Sequence, residues 1–98
     1  MIRIELTPEA RDDLAEGFVF YEKQAPGAGD YFLNSMKAEI EGLHWMAGTH
    51  RQVGGFHRSN CRNFPHLIFY RFDGETISVI AVIDNRRSPE WIRKRLSE

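Results

Sequence analysis

Arginine is the chemistry-bearing residue of the second half of this chain. Arg62, Arg86 and Arg87 each follow a run of strand-forming residues. If those strands turn back on one another as a meander, the three guanidinium groups converge at one sheet margin. A planar, permanently charged guanidinium suits a phosphate or carboxylate partner, so the cluster would bind an anion. The competing arrangement is a structural ion pair of Arg87 with Asp84 or Glu90. His57 and His66 lie on or near the same strands, and an imidazole that titrates near neutrality can serve as a general base. The plainer role for both is a partly exposed strand residue. Tyr70 belongs to an apolar run and is expected in the core, with its hydroxyl within reach of the margin as the functional alternative.

Other chemistries find no support. His44, His50, His57 and His66 form no ligand pattern, there is no His-x-x-x-His pair, and Cys61 is the only cysteine, so neither a metal site nor an internal disulfide is expected. No glycine-rich loop joins a strand to a helix, so no nucleotide cofactor is expected either.

The elements that must position these residues centre on a β-hairpin. His66 to Phe72 and Thr76 to Ile83 are rich in aromatic and β-branched residues and flank Asp73-Gly74, a dipeptide that supplies the positive φ of a tight turn. Both runs are nearly continuous in apolar side chains, as expected of strands covered on both faces. Strict alternation puts Ile77, Val79, Ala81 and Ile83 on one face and Ile80 and Val82 on the other. The run ends at Asp84-Asn85-Arg86-Arg87, which delivers the paired arginines to the margin.

Upstream, Ile2, Ile4 and Leu6 alternate with Arg3 and Glu5, a first strand. Thr7-Pro8-Glu9 supplies a cap, a first-turn proline and an acid at the positive end of a helix. Ala10, Leu14, Phe18 and Tyr21 follow at helical spacing, and Gln24-Ala25-Pro26-Gly27 breaks the helix. A second helix is expected from about Asp30 to Ala47, with Leu33, Met36, Ile40, Leu43 and Ala47 on one stripe. Phe56 to Arg62 is a weaker strand near the sheet edge, and Ser88-Pro89-Glu90 opens a short terminal helix. Trp45 and Trp91 are read as packing residues. The order β-α-α-β-β-β-α describes an α+β protein, a helical hairpin packed on a mainly antiparallel four-stranded sheet, forming one domain over residues 1–98.

Composition sets further bounds. The net charge is -1, yet residues 1–50 carry four basic and nine acidic side chains, and residues 51–98 carry nine basic and five acidic ones. The basic half is almost purely arginine, which suits nucleic acid or an acidic protein segment as partner. The absence of a signal-peptide pattern or a membrane-length apolar run leads to an expected cytoplasmic location with no membrane contact. A helical hairpin this rich in Phe and Tyr is expected to leave a groove for a partner's helix or an added strand.

Arg62, Phe64, Pro65, Ile68 and Tyr70, spaced as R-x-F-P-x-x-I-x-Y, are followed by Val79 to Ile83, Arg86, Arg87 and Pro89 as V-I-A-V-I-x-x-R-R-x-P. With the element order, these segments resemble the RelE/ParE superfamily of type II toxin–antitoxin toxins over nearly the whole chain. The resemblance implies a small plasmid-stabilisation-type toxin that inhibits growth and is neutralised by a cognate antitoxin in a hetero-oligomer. It implies one of two targets: DNA gyrase, bound without chemistry by ParE-like members, or mRNA on the ribosome, cleaved without metal by RelE-like members. In the second case Arg62 and either Arg86 or Arg87 would hold phosphate, and His57, His66 or Tyr70 would assist proton transfer. Asp84 stands where the family often has histidine, and lysines are few, so ParE-like gyrase binding is the preferred expectation. A third possibility is a member that binds its antitoxin without being toxic.

Overall fold

The computed structural model describes residues 2–97, an α+β structure of eight elements. In chain order they are β1 (Arg3–Leu6), α1 (Pro8–Gln24), α2 (Ala28–Met46), β2 (Gln52–Val53), β3 (Phe56–Asn60), β4 (His66–Phe72), β5 (Thr76–Asp84) and α3 (Pro89–Leu96). The sheet order is β1-β5-β4-β3-β2, with β1 parallel to β5 and every other pairing antiparallel. The sheet therefore has five strands where four were expected. The extra strand, β2, is only two residues long and shows no alternation. Gly54 (φ 60°) and Gly55 (φ 86°) turn its chain directly into β3, with Val53 paired to Phe56 across them.

Both capping signals form. Thr7 Oγ1 accepts the Ala10 N–H at 3.1 Å and Ser88 Oγ accepts the Trp91 N–H at 3.1 Å, each followed by proline in the first turn. Between α1 and α2 the Glu22 carboxylate receives the N–H groups of Gly27 and Gly29, satisfying donors that the start of α2 leaves free. The two helices cross closely because glycine faces phenylalanine on both sides. A Cβ at Gly17 would lie 2.4 Å from the Phe32 ring, and one at Gly29 would lie 2.7 Å from the Phe18 ring. The α2 stripe of Phe32, Met36, Ile40 and Leu43 is buried on the sheet with Ile68, Tyr70, Ile77 and Val79. Trp45 is not a packing residue: it is 89% exposed. At about 100° per residue it lies roughly 200° round the helix from buried Leu43.

The faces of β5 also differ from strict alternation. Val79 pairs with Tyr70 and Ala81 with Phe69, so Ile80 is an extra residue, a β-bulge. Past it the phase changes. Val82 joins Ile77 and Val79 on the helix-covered face, while Ala81 and Ile83 turn to the other face with Phe56, Leu67 and Phe69. An unbroken apolar run carries no marker of such a slip. Ile92 and Leu96 of α3 pack on that second face.

The bulge leaves backbone groups that side chains must satisfy. β1 ends where the Thr7 N–H reaches the Val79 carbonyl at 3.0 Å. Beyond that point Asp13 Oδ2 on α1 accepts the Val82 N–H at 2.9 Å and an Arg95 amine of α3 at 2.7 Å. Thr7 Oγ1 donates to the Ile80 carbonyl, and so does Arg95. The Asp13 and Arg95 side chains are 14% and 12% exposed. Asp13→Ala removes the acceptor for both the Val82 N–H and Arg95, so a loss on the order of 3 kcal/mol is expected in urea unfolding. An unchanged midpoint would mean that water replaces the carboxylate at no cost.

Candidate functional site

The last residues of β5 and the turn after them form one wall of a cleft of about 440 Å³, and α1 forms the other. Asp84 lies opposite His66 across the β4–β5 ladder, so both project towards the helices. The Asp84 carboxylate is closed on itself by the turn: Oδ1 accepts the Arg86 backbone N–H at 2.8 Å and Nε–H at 2.9 Å, and Oδ2 accepts the terminal amine at 2.6 Å. The Arg86 hydrogen bonds hold the Asp84 pKa below the usual carboxylate value, so it stays ionised. Arg87 makes no such pair; its guanidinium lies 4.3 Å from the Trp91 ring centre. Tyr21 and Phe20 of α1 face these groups across the cleft.

His66 is 7% exposed and sits in an aromatic cluster, its ring centre 5.0 Å from that of Phe32 and 6.1 Å from that of Tyr21. Burial lowers its pKa, with nearby Asp84 opposing. Burial likewise raises that of Tyr21. Both are therefore neutral at pH 7.

The remaining candidates lie elsewhere. Arg62 follows β3 and is tied to α2: its backbone N–H donates to Glu39 Oε2 at 2.7 Å, and its side chain is 87% exposed. Tyr70 is fully buried, four residues along β4 from His66, roughly 13 Å away. Its hydroxyl accepts the Gly48 N–H and bonds His50 Nδ1, while the His57 ring stacks on it at 5.1 Å. This trio holds the α2–β3 connection to the sheet. Thus Arg86, Arg87 and His66 share the cleft, while Arg62, Tyr70 and His57 do not line it. Sequence reading passed over Tyr21, visible only as part of a helical stripe, and over Phe20 and Asp13. Trp91 was read as packing, whereas it lines the cleft under Arg87.

In the cleft one guanidinium is bridged by Asp84, the other lies on an indole, and the histidine and tyrosine are uncharged. Cys61 is no nucleophile, its thiol pushed up to about 12 by burial and Glu39. Among the described residues no three His, Cys, Asp or Glu side chains are placed to hold a metal ion. No helix among them is long and apolar enough to cross a membrane.

His50 also has a lowered pKa, through burial and then the neighbouring His57. A depressed folded-state pKa contributes stability that is present above the unfolded value of about 6.5 and is lost as pH falls through the folded value. The melting temperature should therefore fall as pH drops below about 6.5, and His50→Gln should flatten that slope. A melting temperature that rises on acidification through this window would contradict the burial of His50 and His66.

Comparison with known proteins bears on this geometry. The family model described as ParE toxin of type II toxin-antitoxin system, parDE, matches residues 4–89. No match was found among the curated proteins. Among solved structures, a chain of the chromosomal ParDE toxin–antitoxin system from P. aeruginosa is similar in fold, with a TM-score of 0.77 and 17% identity. The match covers 86% of this chain and 96% of that one. The matched segment runs from β1 through the arginine turn to the first residue of α3, and so contains nearly all of the cleft. The chain belongs to the ParE toxin family of type II toxin–antitoxin systems.

Proposed function

We propose that this chain acts as a single domain in the bacterial cytoplasm, arrests growth by binding DNA gyrase, and is neutralised when an antitoxin segment fills the cleft between α1 and β5. The observation that carries the reading is the closed Asp84–Arg86 pair. An RNA phosphate that reaches Arg86 would sit beside an ionised carboxylate, which Coulomb repulsion opposes.

The rim favours a protein instead. Val19, Phe20 and Trp91 are 48%, 52% and 38% exposed, and the apolar strip continues along α1 through Ala15. Exposed aromatic and apolar groups beside an arginine have the composition of an interface centre. Membership of the ParE toxin family supports an antitoxin as the partner. Phe20→Asp, which places a charge on this rim, should leave the fold intact and weaken antitoxin co-purification.

Controlled expression of the chain without an antitoxin separates the readings. The expected outcome is growth arrest with a DNA-damage response and intact mRNA. The double variant Arg62→Ala/Arg86→Ala should still arrest growth at higher dose, because a binder loses only interface energy, on the order of a few kcal/mol. Arrest with cleaved mRNA, lost by orders of magnitude in the double variant, would establish the ribosome-dependent nuclease instead. Normal growth with retained antitoxin binding would identify a non-toxic, antitoxin-binding member.

A further inference from the structure

The second face of the sheet carries a charge pattern that the cleft does not use. α1 and α2, which cover the first face, carry eight acidic and three basic side chains. β3 and β4 contain no acid, and the one acid of β5, Asp84, lines the cleft on the helix side. Arg71 is placed on the second face by its guanidinium, 4.5 Å from the Phe56 ring centre. Arg58 shares that face, because it pairs with Phe69 across the β3–β4 ladder. It is a diagonal neighbour of Arg71, roughly 7–8 Å away. Arg93 joins them from α3. Ile92 and Leu96 pack on the second face, so at about 100° per residue Arg95 and Arg93 fall on opposite flanks of the helix. Arg95 reaches Asp13 and the Ile80 carbonyl, with Trp91 on the same flank, so Arg93 faces the other way, on the side of β4 and β3.

These three arginines have no counterion in the fold. The ion pairs among the described residues engage Arg3, Arg62, Arg86 and Arg95. Asp73, the acid nearest Arg71 along the chain, accepts the N–H groups of Glu75 and Thr76 and makes no pair with Arg71. The acids of α1 and α2 stand across the sheet, roughly 10 Å or more away, where salt screens them. We propose that Arg58, Arg71 and Arg93 hold the phosphate backbone of a nucleic-acid duplex, at a site separate from the cleft. The composition of the face selects this occupant over an acidic protein segment. The exposed large apolar side chains, Val19, Phe20, Tyr31, Trp45, Met46 and Trp91, all lie on the helices, so the sheet offers a protein no apolar anchor. A single strand is disfavoured for a related reason: Phe56 and Phe69 are buried, which leaves no ring on which an unpaired base could stack. A duplex keeps its bases stacked inside and presents spaced phosphates, each of which suits the fork of a guanidinium. Tyr70 and His66 belong to the helix-covered side, and His57 stacks on Tyr70 there, so the bound backbone meets none of these acid–base groups and is held uncut.

The test is fluorescence anisotropy of a short labelled DNA duplex titrated with the full chain. Three phosphate contacts give a log–log salt slope of about −2.7, so binding should weaken roughly fortyfold between 50 and 200 mM salt. Arg58→Gln, Arg71→Gln and Arg93→Gln should each weaken binding several-fold, alike for duplexes of unrelated sequence, and each should reduce the slope by about one. Lys37→Gln, which removes the same charge from α2, should change neither affinity nor slope. Arg71→Gln also uncovers Phe56, so Arg58→Gln and Arg93→Gln decide the outcome if that variant fails to fold. The unlabelled duplex should compete better than a single strand of the same length or an oligo-glutamate peptide. Tighter binding of the single strand would assign the face to unpaired bases, and tighter binding of the peptide would assign it to an acidic protein segment. Either result overturns the proposal. An equal loss in Lys37→Gln would reduce the effect to net charge and overturn it too, as would the absence of salt-dependent binding.

Discussion

One carboxylate holds together the part of the molecule on which the cleft depends. Asp13 on α1 accepts the Val82 N–H exposed by the bulge of β5 and an amine of Arg95 on α3. Without it, the sheet margin past β1 has an unpaired donor, α3 has a largely buried guanidinium without a counterion, and α1 is tied to β5 only through its Thr7 cap. A buried ion pair contributes little over a packed apolar pair, and its value is geometric: it fixes which elements meet. Here it sets α1, the end of β5 and α3 at one corner. The Asp84 turn and Trp91 are consequently held opposite Tyr21 and Phe20.

The arginines of the basic half are in good part committed to contacts within the chain. Arg95 is taken by Asp13, Arg86 by Asp84, Arg62 by Glu39, and Arg87 lies on Trp91. Each pairing spends a cation on the fold or on an aromatic face. Beside Arg86 and Arg87 the cleft is lined by apolar rim, neutral histidine and neutral phenol. Such a surface gains from desolvation by a protein partner more than from a polyanion.

Much of this was legible in the residues. The two Thr/Ser-Pro-Glu caps and the Asp-Gly hairpin are local signals whose physics does not depend on the rest of the chain, and they formed; the α2 stripe formed through Met36, Ile40 and Leu43, with Phe32 fully buried where Leu33 was expected and Leu33 only partly so. The family was likewise legible, because its motif residues lie in that same hairpin and the turn after it. The bulge at Ile80 was not legible: Val, Ile and Ala on either side fit both faces equally, and the slip is set by Asp13 and Thr7 from elsewhere in the chain. Trp45 misled because its neighbours are apolar, although its angle round the helix points to solvent. The arginines were found, but their counterions Glu39, Asp13 and Asp84 come from three different elements, and only the folded arrangement pairs them. Tyr21 was hidden for the opposite reason: as one of a stripe of apolar contacts, it gave no sign that it would line a cleft.

The central claim is that this surface binds and does not turn over. The most direct measurement titrates purified protein into a fixed amount of DNA gyrase in a supercoiling assay, with translated mRNA on ribosomes as the parallel substrate. The account predicts inhibition that saturates near one chain per gyrase subunit, with the mRNA left intact. Cleavage of many mRNA molecules per chain, with supercoiling untouched, would contradict it.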